Sequence, residues 1–252
     1  MKIPLIFIVF IAILILGKAE ISDVAAEEPQ AKKDAATAVD YTRDTDERIA
    51  AIQRLGTYGE RDASGPLIAI LLDRAEEQGL RACAARALGE VKADTAEALK
   101  ALEEVYREPG AGSNLRYTIL MTLGNMKEHG AIVILKDALS DGDAMIRFKS
   151  LQALGNLGLG DAVEIIMQHL EKETDRLVRA EGARALGSYN SDVSQGCLAG
   201  LLISDPEAVV RLNAALSLLK FDFLMPGAES ALKAAREDVS IMVREAVKGV
   251  KP

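Results

Sequence analysis

Leu177-Val-Arg-Ala-Glu-Gly-Ala-Arg-Ala-Leu-Gly187 repeats the plan of Ala144-Met-Ile-Arg-Phe-Lys-Ser-Leu-Gln-Ala-Leu-Gly155. In both, an apolar residue precedes an arginine, small or apolar side chains follow three and four residues on, leucine comes seventh and glycine eighth. The same frame recurs along the chain. Its arginines are Arg48, Arg81, Arg116, Arg147, Arg179, Arg211 and Arg244, at intervals of 33, 35, 31, 32, 32 and 33 residues. A period in this range belongs to stacked supersecondary units, none of which can bury its apolar side alone.

Each unit reads as helix, tight turn, helix and short link. The apolar residue before the arginine (Leu80, Leu115, Ile146, Val178, Val210, Val243) and the leucine seven after it (Leu55, Leu88, Leu123, Leu154, Leu186, Leu218) fall on one face of a 3.6-residue helix. Small side chains between them, as in Ala84-Ala85 and Ala214-Ala215, let neighbouring helices approach closely. The glycines Gly56, Gly89, Gly124, Gly155 and Gly187 read as helix stops in the left-handed conformation, which glycine adopts without a Cβ clash. Two residues later the chain is apolar again, at Tyr58, Val91, Met126, Leu157, Tyr189 and Phe221, where it tucks back onto the core. A second helix follows, over Ala131–Leu139 and Ala162–Leu170 for example. Asp143, Asp161, Asp175, Asp192 and the Asp205-Pro206-Glu207 run are expected to start helices, since aspartate caps a free helix N–H and proline fits the first turn.

The runs Ala144–Gly155 and Leu177–Gly187 resemble the short HEAT-like repeat of the type found in phycobilisome lyase subunits. The resemblance covers Asp44 to Pro252. It implies an all-α fold: a right-handed, two-layer α-solenoid of six to seven helical hairpins, about thirteen helices, the last hairpin supplying only its first helix. At the ends Glu47 breaks the apolar position of the first unit and Leu219 replaces the glycine of the sixth, as terminal units of such stacks commonly do.

Residues 1–19 read as a targeting segment outside the fold. Lys2 precedes an uncharged run, Ile3–Leu16, and Gly17-Lys18-Ala19 supplies small residues for a cut after Ala19. The run is short for a spanning helix of about 20 apolar residues, so a cleaved signal is expected, with an uncleaved inner-membrane anchor as the alternative. Either places the repeat array outside the cytoplasm, in a bacterium the periplasm. Residues 20–43, alanine-rich and acidic, are expected to form a flexible linker. Residues 44–252 form the solenoid.

Composition narrows the function. The net charge is −8, and lies lower still without Lys2 and Lys18, which disfavours a nucleic-acid partner needing a basic footprint. Aromatic residues are only 4% and tryptophan is absent, which suits Ala/Leu helix packing rather than an aromatic-lined slot. Cys83 and Cys197 lie three units apart, on the order of 25–30 Å at one helix spacing per unit. That is far beyond the roughly 7 Å a disulfide spans.

The arginine column is the most tempting site, because a row of guanidiniums can grip carboxylates. A structural role fits better. Acidic residues stand four positions before the arginine (Asp44, Glu77, Asp143, Asp175) or six before it (Asp205, Asp238), so ion pairs between repeats and hydrogen bonds to link carbonyls would order the stack. His129 and His169 carry no paired His-Glu motif like that of deoxyhypusine hydroxylase, a HEAT-like iron enzyme, and no CxxC is present. Gly155, Gly158 and Gly160 lack the strand and spacing of a phosphate loop. No metal and no cofactor is expected, and phycobilin attachment conflicts with export. Tyr117 and Phe148, each one residue after its arginine, and Phe223, outside the frame, are the candidate partner-binding residues. The irregular links, Glu108–Asn114 and the stretch around Leu224–Pro226, are where solenoids place binding loops. The expected function is a non-catalytic protein-binding scaffold or adaptor in the cell envelope. The alternative is an accessory or regulatory subunit of an enzyme.

Overall fold

The computed structural model describes residues 29–58, 61–91 and 95–250. The expected targeting segment, residues 1–19, lies outside them. The described residues form fourteen α-helices and one 3-10 turn, with no strand. In chain order the helices are α1 (Gln30–Val39), α2 (Thr45–Tyr58), α3 (Arg61–Leu72), α4 (Gln78–Leu88), α5 (Thr95–Tyr106), α6 (Ser113–Met126), α7 (Ala131–Ala138), α8 (Ala144–Leu157), α9 (Ala162–Leu170), α10 (Arg176–Leu186), α11 (Asp192–Ser204), α12 (Ala208–Leu218), α13 (Pro226–Ala234) and α14 (Ile241–Ala246). The first helices of the units, α2 through α14 in even numbers, pack side by side in one layer. The odd-numbered second helices line the other. The all-α solenoid expected from the repeat is what the chain forms.

The core is the sum of the repeated columns. Leu55, Leu88, Leu123, Leu154, Leu186 and Leu218 are all fully buried, and so, within 1%, are the apolar residues preceding the arginines. Each buried leucine contributes about 1.5–3 kcal/mol. The residues after the turn behave as expected: Val91, Leu157 and Tyr189 join the core, and Tyr58, Met126 and Phe221 pack against it.

The glycines do a different job from the one the sequence suggests. Among the described residues only Lys127, Gly110 and Gly158 have positive φ. Gly56, Gly124 and Gly155 sit inside α2, α6 and α8, while Gly89 and Gly187 end α4 and α10 in right-handed conformation. What they provide is close approach. A Cβ on Gly124 would lie 2.7 Å from Ala153 Cα, on Gly155 3.1 Å from Ala185 Cα, and on Gly187 2.6 Å from Ser217 Cβ. The residue met is always the sixth after the next unit's arginine. Each glycine is a seat for the following first helix, and the true left-handed stop of α8 is Gly158 (φ 71°), three residues later.

Two further expectations are corrected. Asp143 and Asp175 do cap α8 and α10, accepting from Met145 and from Leu177 and Val178. Asp161 makes no such bond, and Ser191 rather than Asp192 caps α11. Asp205 stands too early to cap α12, whose N-cap is Glu207. It is used elsewhere, as shown below.

The stretch 20–43 is not a flexible linker over its second half. Residues 30–39 form α1, which packs on α2 and α3. Its Asp34 is 1% exposed and accepts from Arg54 Nη2 and Tyr58 Oη, both at 2.6 Å. α1 is therefore the second helix of a preceding half-unit, and the array starts one helix earlier than residue 44. At the other end α14 is a first helix, as the frame around Arg244 implies.

Candidate functional site

The seven arginines lie along one edge, where links join the two layers. Arg147, Arg179 and Arg211 share a geometry. Nε and Nη2 make a two-pronged bond to the carboxylate of the link that follows: Arg147 to Glu173 at 2.7 and 2.9 Å, Arg179 to Asp205 at 2.8 and 3.2 Å, Arg211 to Asp238 at 2.7 and 2.9 Å. Nη1 turns back to carbonyls of the preceding link, at Asp141 and Gly142, Glu173 and Thr174, or Asp205 and Pro206. The same carboxylates accept the N–H two residues on, at Asp175, Glu207 and Ser240. The pairing thus differs from the sequence reading. An acid six residues before one arginine serves the arginine of the unit before, and the acids at four, Asp143 and Asp175, cap helices instead.

Arg48 and Arg81 vary the theme. Their Nη groups pair with Glu76 and Glu108, and Nε donates to the carbonyls of Ala38 (3.0 Å) and Leu71 (2.8 Å) at the ends of α1 and α3. These ion pairs are mostly buried, so their charges are set by one another. Burial pushes the Glu173 carboxyl up, but the Arg147 hydrogen bonds, the Asp175 N–H and the nearby positive charge outweigh it and hold the pKa at about 2. Arg211 likewise holds Asp238 below the usual carboxylate range.

Arg116 is the exception, and its link explains why. The 35-residue interval lengthens the third link, and the Gly110 carbonyl is taken by Gln78 Nε2 at 3.3 Å. Arg116 reaches Asp141 (2.6 Å) and the Tyr106 hydroxyl (3.1 Å) through Nη2 alone, and its guanidinium lies 4.7 Å from the Tyr106 ring centre. Its buried Nε has no partner among the described residues. An open hollow of about 530 Å³ adjoins it, lined in part by Arg107, Pro109 and Ser140. A second, of about 470 Å³, lies between the turns at Gly158–Gly160 and Ser188–Ser191. Neither is lined by a histidine, cysteine or lysine among the described residues.

The three candidate partner residues fare differently. Tyr117 is half-buried and donates its hydroxyl to Asp143 of the next unit at 3.2 Å. Phe148 is half-buried against the core beside Lys149. Tyr117 is thus engaged at a joint between repeats. Phe223 is 88% exposed. Its link is nonetheless fixed, because Gln195 Nε2 donates to the Phe223 carbonyl (3.0 Å) and Gln195 Oε1 accepts from the Met225 N–H (2.8 Å). Gln78 clamps the other irregular link in the same way, through the Gly110 carbonyl and the Gly112 N–H. The sequence frame does not reveal these glutamines, because each binds a segment roughly 30 residues away.

The remaining reactive side chains are dispersed. No group of three or more His, Cys, Asp or Glu among the described residues is placed to hold a metal ion. His129 is exposed, 3.7 Å from Asp161. His169 Nε2 lies 2.8 Å from Glu173 Oε2 but off the hydrogen-bond axis, and burial lowers its pKa against the pull of Glu173. Cys83 and Cys197 are free and half-buried. No helix among the described residues is long and apolar enough to cross a membrane.

Comparison with known proteins agrees with this geometry. The family model for HEAT repeats matches residues 36–113, 112–187 and 163–250. No curated protein matches the sequence. Among solved structures, the chain is similar to the complex of CpcE and CpcF of phycocyanin lyase from Nostoc sp. PCC7120, at 23% identity and a TM-score of 0.51, over 88% of this chain and 94% of that one. It is also similar to the archaeal HEAT-like repeats protein from Thermococcus onnurineus NA1, at 16% identity and a TM-score of 0.52, over 87% and 95%. At these identities the likeness is one of fold.

Proposed function

The chain belongs to the HEAT-repeat family, and from that premise we propose that it is a non-catalytic scaffold or adaptor that binds a protein partner on the solenoid surface, in the cell envelope. The observation that carries this reading is Phe223, a large aromatic side chain 88% exposed on a link held rigid by Gln195. An exposed aromatic on a fixed backbone is a pre-organised anchor, and such anchors dominate binding energies because little order is lost on docking. The partly exposed Met225 beside the link offers further apolar contact nearby. A long stack presents many such modest contacts to an extended or helical segment. The cell-envelope location rests on the apolar run Ile3–Leu16 behind Lys2.

The test is a quantitative capture from envelope extracts with the natural chain and with Phe223→Ser. The reading is supported when one partner is retained by the natural chain and lost by the variant while both melt alike. Retention by both overturns the assignment of Phe223, and a catalytic turnover by the isolated chain overturns the scaffold reading. A catalytic subunit as the captured partner would make the chain an accessory subunit. Unprocessed protein in the cytosolic fraction overturns the location.

A further inference from the structure

The arginine ladder leaves a loose end at each side of the described stack, and the two ends match. Asp40 has the local geometry of a ladder acid. Its Oδ1 accepts from the N–H two residues on, Thr42, at 2.9 Å, as Asp238 Oδ1 accepts from Ser240 at 2.7 Å. It stands eight residues before Arg48, the interval that separates Glu108 from Arg116, and Glu108 holds the arginine of the unit before it. Oδ1 also accepts from the Thr42 hydroxyl at 2.6 Å, and the only positive charge Asp40 meets among the described residues is Arg43 of its own link, at 3.6 Å from Oδ2 with both side chains well exposed.

Arg244 is the converse. Its Nη1 is fixed by the carbonyls of Asp238 (2.6 Å) and Val239 (3.2 Å), as in the units before. Its Nε and Nη2 form the edge that Arg147, Arg179 and Arg211 turn toward the carboxylate of the next link. Here that edge has no acceptor among the described residues. The surroundings match as well. Val239, Ile241 and Met242 are 90%, 64% and 62% exposed around Arg244, and Val39 and Tyr41 are 41% and 63% exposed on either side of Asp40. α14 is a first helix, and α1 is a second helix.

We infer that these two ends are complementary surfaces and that copies of the chain associate head to tail: α14 of one copy pairs with α1 and packs against α2 of the next, and Arg244 closes on Asp40 across the joint. The contact continues the ladder in trans with the chemistry that orders it in cis. Because the two surfaces differ, the association is heterologous and extends with concentration instead of stopping at a closed dimer.

Sedimentation velocity on the full chain, from micromolar to near-millimolar concentration, tests this. The natural chain should sediment faster as concentration rises. Arg244→Asp and Asp40→Arg should each abolish that dependence. An equimolar mixture of the two variants should recover it, because each then offers the other a matched pair of ends. Asp40→Asn, which keeps size and shape and the acceptor for the Thr42 N–H, should show the same loss, with a melting profile like that of the natural chain. A natural chain that stays a single copy throughout, single variants that associate as well as it does, or a mixture that fails to recover while both variants remain folded would each overturn the inference.

Discussion

The main-chain carbonyl of Glu173 accepts from Nη1 of Arg179 at 3.3 Å, while the Glu173 carboxylate holds Arg147, the arginine of the unit before. One residue therefore binds two successive arginines, by side chain and by backbone. Asp141, Asp205 and Asp238 do the same between their neighbours. From Arg116 to Arg244 the result is an unbroken relay in which every link is fixed from both sides. Stacked repeats have no long-range contacts to enforce order, so the free energy between neighbours decides how far the array behaves as one body.

Arg179→Ala should remove a two-pronged ion pair and two carbonyl bonds together. It leaves Asp205, whose side chain is 5% exposed, without its counter-charge. Breaking such a pair costs about 3–5 kcal/mol. Arg179→Lys should recover little, because one ammonium cannot satisfy the carboxylate fork and the link carbonyls at once. Lys233→Ala, which removes an exposed pair with Glu229 on α13, should be nearly silent. Urea unfolding of the three variants tests the ranking. Equal stability of Arg179→Ala and the natural chain would refute a structural role for the ladder.

Two glycine substitutions should differ in sign. Gly124→Ala forces a methyl to within 2.7 Å of the Ala153 backbone, so α6 and α8 must part, at a cost of about 1–3 kcal/mol. Gly196 in α11 has nothing within 4 Å of its added Cβ. Gly196→Ala should stabilise by roughly 0.5–1 kcal/mol through helix propensity and a less free unfolded chain. Thermal melts of both variants decide it. Tolerance of Gly124→Ala would mean that the close approach of α8 at this position is not needed for stability.

The contrast between these glycines marks what could be read in the sequence. Spacing fixes which residues share a helix face, so the leucine column and the small side chains of the core were legible from period alone. The partner of a side chain is not, once it lies in the next unit. Gly155 looks like a helix stop because the helix nearly ends there, and only the approach of Ala185 shows that it is a seat. Asp205 looks like a cap because it precedes Pro206, yet Arg179 claims it across the joint. α1 escaped because its apolar face is made of alanines, and because the buried Asp34 that anchors it through Arg54 and Tyr58 reads as solvated charge. Of the candidate partner residues, register could align Tyr117 with Phe148, but it could not tell a joint from a surface.

Stability should fall steeply in acid, with Glu173 as a main contributor. Its carboxyl titrates at about 2 in the fold against an ordinary value of 4.5. A depressed folded pKa means that the stabilisation is fully present above pH 4.5 and is lost as pH falls from there toward 2, in all about 3 kcal/mol. His169 adds to the loss at somewhat higher pH. Its buried ring has a lowered pKa, so the unfolded chain gains the proton first as pH drops through the ordinary histidine range. Glu173→Gln should be less stable at neutral pH, since Arg147 loses its partner, but should show a shallower decline below pH 4.5. Denaturant midpoints measured across the acid range test both signs, and a parallel decline in the two proteins would show that the carboxylate is not the titrating group.

Gln195→Ala should loosen the Phe223 link without unfolding the stack. Gln195 is 4% exposed, and its amide supplies a donor to the Phe223 carbonyl and an acceptor to the Met225 N–H, as a neighbouring strand would. Removing it exposes both backbone groups to exchange and costs about 1–3 kcal/mol, most of it local, because the adjoining helices α12 and α13 keep their own core contacts. Hydrogen exchange at the Met225 amide should accelerate while amides in α8 and α10 keep their protection. If Phe223 works as a rigid anchor, Gln195→Ala should also weaken partner binding even though it leaves the aromatic ring in place. Loss of affinity in Phe223→Ser but not in Gln195→Ala would mean that the ring matters and the rigidity of its link does not.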